Sequence, residues 1–155
     1  MQEFSFDQLD DLYRKSILNH YRKPRNMGSL PKPDIEYEEY NPVCGDQVVL
    51  QVKLDGERIA KAGFSGRGCS ISQASASMMT EVLLGKTLEE AEGLAETFRR
   101  LLQGRTRSKD ELTNLGDLTA LEGVRRFPVR VKCALLACSA LEQGIEEYRA
   151  AVGEA

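Results

Sequence analysis

The stretch Gln47-Val48-Val49-Leu50-Gln51-Val52-Lys53-Leu54-Asp55-Gly56 decides the fold. Val48, Leu50, Val52 and Leu54 recur every second residue, the period of a half-buried strand. Asp55-Gly56 has the chemistry of a two-residue hairpin turn, and Arg58 to Phe64 reads as the return strand. Working upstream, Ile35 to Tyr40 supplies a candidate edge strand. Arg22 to Asp34 carries three prolines and a glycine and reads as a fixed loop. Before it, Phe6, Leu9, Tyr13, Ile17 and Tyr21 fall at steps of three and four, which predicts a helix. Ser5 or Asp7 would cap it and Pro24 would end it.

Downstream of the hairpin the period changes to helical. Ile71, Ala74, Met78 and Val82 form an apolar face, with Ser72, Ser75, Ala76 and Ser77 expected as a small-residue surface and Gly85 as the stop. Thr87-Leu88-Glu89-Glu90 has the form of a capping box, followed by Ala91, Leu94, Phe98 and Leu101 on one stripe. Gln103 to Arg107 is a polar break. Ser108-Lys109-Asp110-Glu111 offers another capping box, and Asp117 to Gly123 a short helix. The last helix is expected from about Val131 to Ala150. Strands followed by helices predict an α+β fold, a small antiparallel β-sheet of about three strands with helices packed on one face.

The chain has 155 residues, 41% hydrophobic and 29% charged, which predicts one globular domain. Its net charge of -3 gives no general support for binding a phosphate backbone, so no nucleic-acid partner is expected. The start Met1-Gln2-Glu3-Phe4-Ser5 lacks the pattern of a signal peptide, and no apolar run reaches membrane-spanning length. A cytoplasmic location without membrane association follows as the expectation. Thiols stay reduced there, so four cysteines point to metal binding or reactivity more than to disulfides.

Three of them sit at the edges of predicted elements. Cys44 lies in Val43-Cys44-Gly45-Asp46, where Gly45 frees the backbone to bring Cys44 and Asp46 to one point. Cys69 lies where strand gives way to helix, where the dipole and free N–H groups favour a thiolate, with Arg67 expected to add to the effect. Cys133 is expected to open the last helix in the same way, flanked by Arg130 and Lys132. Cys138 differs: with Ala134, Leu141, Ile145 and Tyr148 it forms a buried stripe. It stands about 140° around a continuous helix from Cys133. The plainer alternative is that all four are small buried hydrophobes. Three thiolates and one carboxylate would otherwise make a four-coordinate set acceptable to Zn²⁺ or iron. The spacing is not that of a zinc ribbon. His20, the only histidine, is expected to be structural. The pairs Arg22-Lys23, Arg99-Arg100 and Arg125-Arg126 are expected to be solvated. Neither nucleotide-binding glycine motif is present.

Asn41-Pro42-Val43-Cys44-Gly45-Asp46, Gly66-Arg67-Gly68-Cys69-Ser70-Ile71-Ser72-Gln73-Ala74-Ser75 and Phe127-Pro128-Val129-Arg130-Val131-Lys132-Cys133 carry a resemblance, joined by Asn19-His20-Tyr21-Arg22-Lys23-Pro24-Arg25-Asn26. The chain resembles the U-type iron–sulfur cluster scaffold family, the IscU/SufU/NifU N-terminal group, over nearly its whole length. Two departures point to the SufU branch. Lys132 stands where IscU-type chains have histidine, and Cys133 follows Cys69 by 64 positions, longer than the IscU-type spacing. The extra material is placed within about 104–126. The IscU chaperone segment Leu-Pro-Pro-Val-Lys is replaced by Phe127-Pro128-Val129-Arg130.

The resemblance implies Cys44, Asp46, Cys69 and Cys133 as ligands of a resting Zn²⁺, or of a transient [2Fe–2S] cluster or iron. It implies a sulfur carrier and scaffold, not an enzyme, that takes persulfide sulfur from a SufS-like cysteine desulfurase and stimulates it. Apo iron–sulfur proteins or other Suf components would receive the product. Cys44 is the favoured acceptor and Cys133 the second choice, with Arg130 and Lys132 in support. The alternative is a zinc-stabilised interaction module without sulfur chemistry. A thiol redox enzyme is disfavoured by the lack of a C-x-x-C pair.

Overall fold

The computed structural model describes residues 11–105 and 109–153. The expected helix positions Phe6 and Leu9, the caps Ser5 and Asp7, and Ser108 lie outside these residues. Three strands form one antiparallel sheet in the order β1-β2-β3: β1 Ile35–Asn41, β2 Asp46–Asp55 and β3 Arg58–Arg67. The edge strand and the hairpin are where the sequence puts them. The turn itself is one residue later than expected, because Asp55 pairs with Arg58 and leaves Gly56 and Glu57 as the loop. Gly56 takes φ 63°, the left-handed conformation such a loop demands. Register then sorts the faces. Ile35 opposes Val52, which opposes Ala62, and Leu50 opposes Phe64; all five are buried.

Helices make up the rest of the described secondary structure. They are α1 Asp11–Arg22, α2 Ser70–Leu83, α3 Leu88–Leu102, α4 Lys109–Thr113, α5 Pro128–Ala134 and α6 Leu136–Ala151, with a 3-10 segment over Gly116–Arg126. α2 and α6 pack on the sheet. α6 approaches β1 so closely that a Cβ on Gly144 would stand 2.8 Å from Ile35 Cγ2. The outer edge of β3 is closed by the proline-containing loop. Gly28 N–H donates to the Phe64 carbonyl at 2.7 Å, and Phe64 N–H donates to the Asn26 carbonyl at 3.1 Å. Covering an edge in this way removes a template for unwanted strand pairing.

α2 departs from the expected two-faced helix. Ser72, Ser75 and Ser77 are buried, not at the surface. Small hydroxyl side chains let α2 run through the centre of the molecule, and each finds a partner as burial requires. Ser75 Oγ donates to the Ala134 carbonyl at 2.6 Å, and Thr80 Oγ1 donates to the Ser77 carbonyl at 2.7 Å. α1 also differs at one position. Ile17 is buried but Tyr21 is 46% exposed, since Pro24 follows closely and α1 ends at Arg22. The α3 capping box and its stripe of Ala91, Leu94, Phe98 and Leu101 are present as expected. Arg99 is not a solvated residue, because it pairs with Glu142 and reaches Ser139 Oγ on α6.

The expected last helix is two helices. α5 starts at Pro128, a favoured first helical residue, and the chain breaks at Leu135 before α6. Cys133 therefore lies near the C-terminal end of α5, not at a helix start. The Ala134, Cys138, Leu141 and Ile145 stripe is fully buried nonetheless.

Candidate metal and sulfur site

One end of the sheet gathers the three motifs. Between β1 and β2 the chain makes a tight connection through Pro42, Val43, Cys44 and Gly45. Asn41 shapes it twice: its carbonyl accepts from Gly45 N–H at 2.7 Å, and its Oδ1 accepts from Val43 N–H at 3.1 Å. Gly45 takes φ 75°, and the chain re-enters the sheet with Asp46 opposite Asn41. Cys44 is thereby held half-buried at the tip while Asp46 turns into the protein, 1% exposed.

The end of β3 is fitted around this carboxylate. A Cβ on Gly66 would stand 3.1 Å from the Gln47 carbonyl carbon, and one on Gly68 would stand 2.7 Å from Asp46 Cγ. Both glycines have positive φ, 156° and 145°. Only glycine lets the strand pass so close. Cys69 then caps α2 and meets Asp46 twice: its N–H donates to Oδ1 at 2.9 Å, and its Sγ lies 3.3 Å from Oδ2.

α5 brings the third thiol. Cys133 is fully buried, its Sγ 3.4 Å from Cys44 Sγ. Arg130, one turn earlier, places Nη1 3.9 Å from that sulfur. Ligand atoms of Cys44, Asp46 and Cys133 all lie within 4.8 Å of one another. Cys69 joins them through Asp46. Of the sequence-predicted residues, Cys44, Asp46, Cys69, Cys133 and Arg130 are thus brought together. Lys132 is exposed, and no described contact ties it to a thiol. Cys138 is elsewhere, its Sγ 3.3 Å from the Ala95 carbonyl.

The thiols share protons unequally. Cys69 is lowered to about 7, first because the Cys133 thiol donates to it, while burial opposes the shift. The direction is the one expected for a helix start, but the Cys133 thiol is the main cause, the Ser72 backbone N–H at the helix start contributes less, and Arg67 is not among the causes. Cys133 is raised, chiefly because it gives that hydrogen bond and is buried. This overturns the expectation of a lowered Cys133, whose reason was a helix N-terminus that lies three residues earlier than supposed.

Asp46 is a buried carboxylate with which, among the described residues, no lysine or arginine forms an ion pair. It sits among three sulfur donors. That donor set fits a borderline-soft divalent cation such as Zn²⁺, which accepts sulfur and carboxylate oxygen together.

The family model described as NifU-like N terminal domain matches residues 12–134. The chain belongs to this family. It is 47% identical over 137 residues to the zinc-dependent sulfurtransferase SufU of Bacillus subtilis (strain 168), covering 88% of this chain and 91% of that protein. It is 38% identical over 142 residues to the iron-sulfur cluster assembly scaffold protein IscU of Streptococcus pyogenes serotype M1, covering 92% and 87%. Among solved structures, a candidate iron-sulfur cluster assembly scaffold protein for the SUF system from Fervidobacterium islandicum AW-1 superposes with a TM-score of 0.81. Identity is 30%, over 92% of this chain and 99% of that one. The fold expected from the resemblance is the fold of the NifU-like family.

Sequence reasoning missed Asn41 and Gly68 as makers of the site. Asn-Pro is a turn-initiating pair whose side chain bonds the backbone two residues on, and that signal was available. Nothing local to Gly68 announces a carboxylate 22 positions earlier. A second grouping lies away from the first: His20 Nε2 is 2.8 Å from Asp117 Oδ2 and 3.6 Å from Glu81 Oε1, and Nδ1 is 2.8 Å from Ser77 Oγ. His20 is 1% exposed and ties α1, α2 and the 3-10 segment together, in keeping with its expected structural role.

Proposed function

We propose that this protein supports iron–sulfur cluster assembly by accepting sulfur on Cys44 from the persulfide of a SufS-like cysteine desulfurase. The observation that carries the reading is the meeting of Cys44, Asp46, Cys69 and Cys133 at one end of the sheet, with Cys44 on the most open segment. Val43 beside it is 69% exposed, so a partner's sulfur reaches Cys44 before it reaches buried Cys133. Likeness to a zinc-dependent sulfurtransferase supports the same reading.

Cys44, Asp46, Cys69 and Cys133 would hold Zn²⁺ in the resting protein. Bound there, the ion keeps coordinating thiols deprotonated at neutral pH. The chain's residues do the rest. The Asn41-shaped turn lets Cys44 leave the site while Asp46 and Cys69 stay fixed to each other. The Cys44 thiolate attacks the outer sulfur of the partner persulfide. A Cys44 persulfide forms, and the partner cysteine leaves as thiolate. Arg130 supplies positive charge beside the sulfur atoms, whereas exposed Lys132 is assigned only a role at the partner interface. The protein is a carrier that stimulates the desulfurase, passing sulfur to apo iron–sulfur proteins or other Suf components in the cytoplasm. A [2Fe–2S] cluster built transiently on the same four residues is the scaffold form of this function. The chain acts as one domain, with the insertion lying within about residues 104–126.

The test mixes the protein with a cysteine desulfurase and sulfur-labelled cysteine and locates the label by mass spectrometry. Label on Cys44, lost in Cys44→Ser, is expected. Active desulfurase with no label on any cysteine contradicts the proposal.

A further inference from the structure

The two sulfurs of Cys44 and Cys133 are only 3.4 Å apart, within the range at which positioned groups react. Cys44 sits on a short turn with one glycine hinge, whereas Cys133 is fixed in α5 and fully buried. Cys69 is bound twice to Asp46, and the described sulfur contact of Cys44 is to Cys133. If Cys44 carries a persulfide, its inner sulfur is the atom that Cys133 already faces. The outer sulfur adds a further bond length and has to find its own space in a crowded pocket.

We propose a second activity: Cys133 attacks the inner sulfur of the Cys44 persulfide and releases the outer sulfur as sulfide. The inference rests on Cys44 being the sulfur acceptor. The step balances without an outside reductant. A Cys44 persulfide and a Cys133 thiol become a Cys44–Cys133 disulfide and hydrogen sulfide. The Cys133 sulfur is oxidised, the outer sulfur is reduced, and the Cys133 proton leaves with it. Closing the bond needs the sulfurs to approach from 3.4 Å to about 2.05 Å, a movement the Cys44 turn can supply. Attack on one sulfur rather than the other is a matter of access as well as reactivity. The disulfide closes one turnover, and a dithiol reductant must reopen it before the next. Under this chemistry the protein delivers sulfur at the oxidation level that a cluster contains. It thereby sacrifices one round of its own thiols to do so.

The test uses the full chain, freed of metal by a chelator and loaded in two ways: by a desulfurase with cysteine, and by inorganic polysulfide with the excess removed. Released sulfide is measured colorimetrically, and the cysteines are mapped by mass spectrometry without reduction. The expected result is one sulfide for each Cys44 persulfide, with a Cys44–Cys133 cross-link. In Cys133→Ala the persulfide should persist and release should slow by about tenfold or more, since the thiol in contact with Cys44 is gone. A persulfide that stays on Cys44, one that migrates to Cys133, or unchanged release from Cys133→Ala overturns the inference. The wild-type mapping decides this even if that variant folds poorly. Failure of the desulfurase alone to load Cys44, with polysulfide-loaded protein still releasing sulfide, overturns the acceptor reading and leaves the disulfide step standing.

Discussion

At Gly68 the backbone has φ 145°, and a methyl group there would overlap the Asp46 carboxylate. The site depends on that missing side chain as much as on its sulfurs. Gly68→Ala should lower zinc affinity by about 10- to 100-fold, the usual effect of disturbing what orients a ligand. Competition with a chromogenic chelator measures it, and an unchanged affinity would show that Asp46 is free to move. A second expectation separates the cysteines. Burial, the largest cause, pushes Cys138 up to about 12, while Cys69 stands near 7. In metal-free protein at neutral pH, iodoacetamide should modify Cys69 readily and leave Cys138 intact until the chain unfolds. Mass spectrometry of the native and denatured protein gives both values. At this scale Cys44, Asp46 and Cys69 were legible because glycine neighbours and an element edge mark each one. Gly68 was not legible, since its reason for being glycine lies across the sheet in Asp46.

The elements show where pattern reading succeeds and where it stops. Thr87 and Glu90 form a reciprocal cap that the sequence announces outright. Thr87→Ala should cost about 1 kcal/mol in chemical denaturation at neutral pH. Glu90 is held below the usual carboxylate range, first by the Thr87 backbone N–H. A lowered folded value means stabilisation present above the ordinary value and lost as pH falls through the folded one. The difference in stability between Glu90→Ala and wild type should therefore shrink in acid. His20 joins α1, α2 and the 3-10 segment through Ser77 and Asp117. His20→Ala leaves buried Ser77 short of a partner and should destabilise the fold by about 1–3 kcal/mol, read from the urea midpoint. The burial of α2 on all sides was hidden from periodicity, because serine counts as polar wherever it lies. The break at Leu135 was hidden too: Val131 to Ala150 keeps its apolar stripe across it, so the stripe alone implied one helix. That error carried Cys133 to the wrong end of α5 and reversed its expected charge preference.

In the whole molecule, the sheet and its helices leave their one cluster of sulfur donors at the end where β1 meets β2 and β3 meets α2. The order of strands and helices was readable from period changes alone. Convergence of positions 44, 46, 69 and 133 was not, since it depends on antiparallel register and on the path of α5. A metal held by these four residues, as proposed, would tie three separated segments together. Removing it should lower unfolding stability by about 2.7 kcal/mol when free zinc had stood at 100 times its dissociation constant. The most direct measurement of the central claim is X-ray absorption at the zinc edge, on wild type and Asp46→Ala. Three sulfur ligands and one oxygen are expected in the wild type, with the oxygen lost or replaced by water and the metal held more weakly in the variant. A first shell of nitrogen and oxygen only, or a zinc environment and affinity indifferent to Asp46, would contradict it.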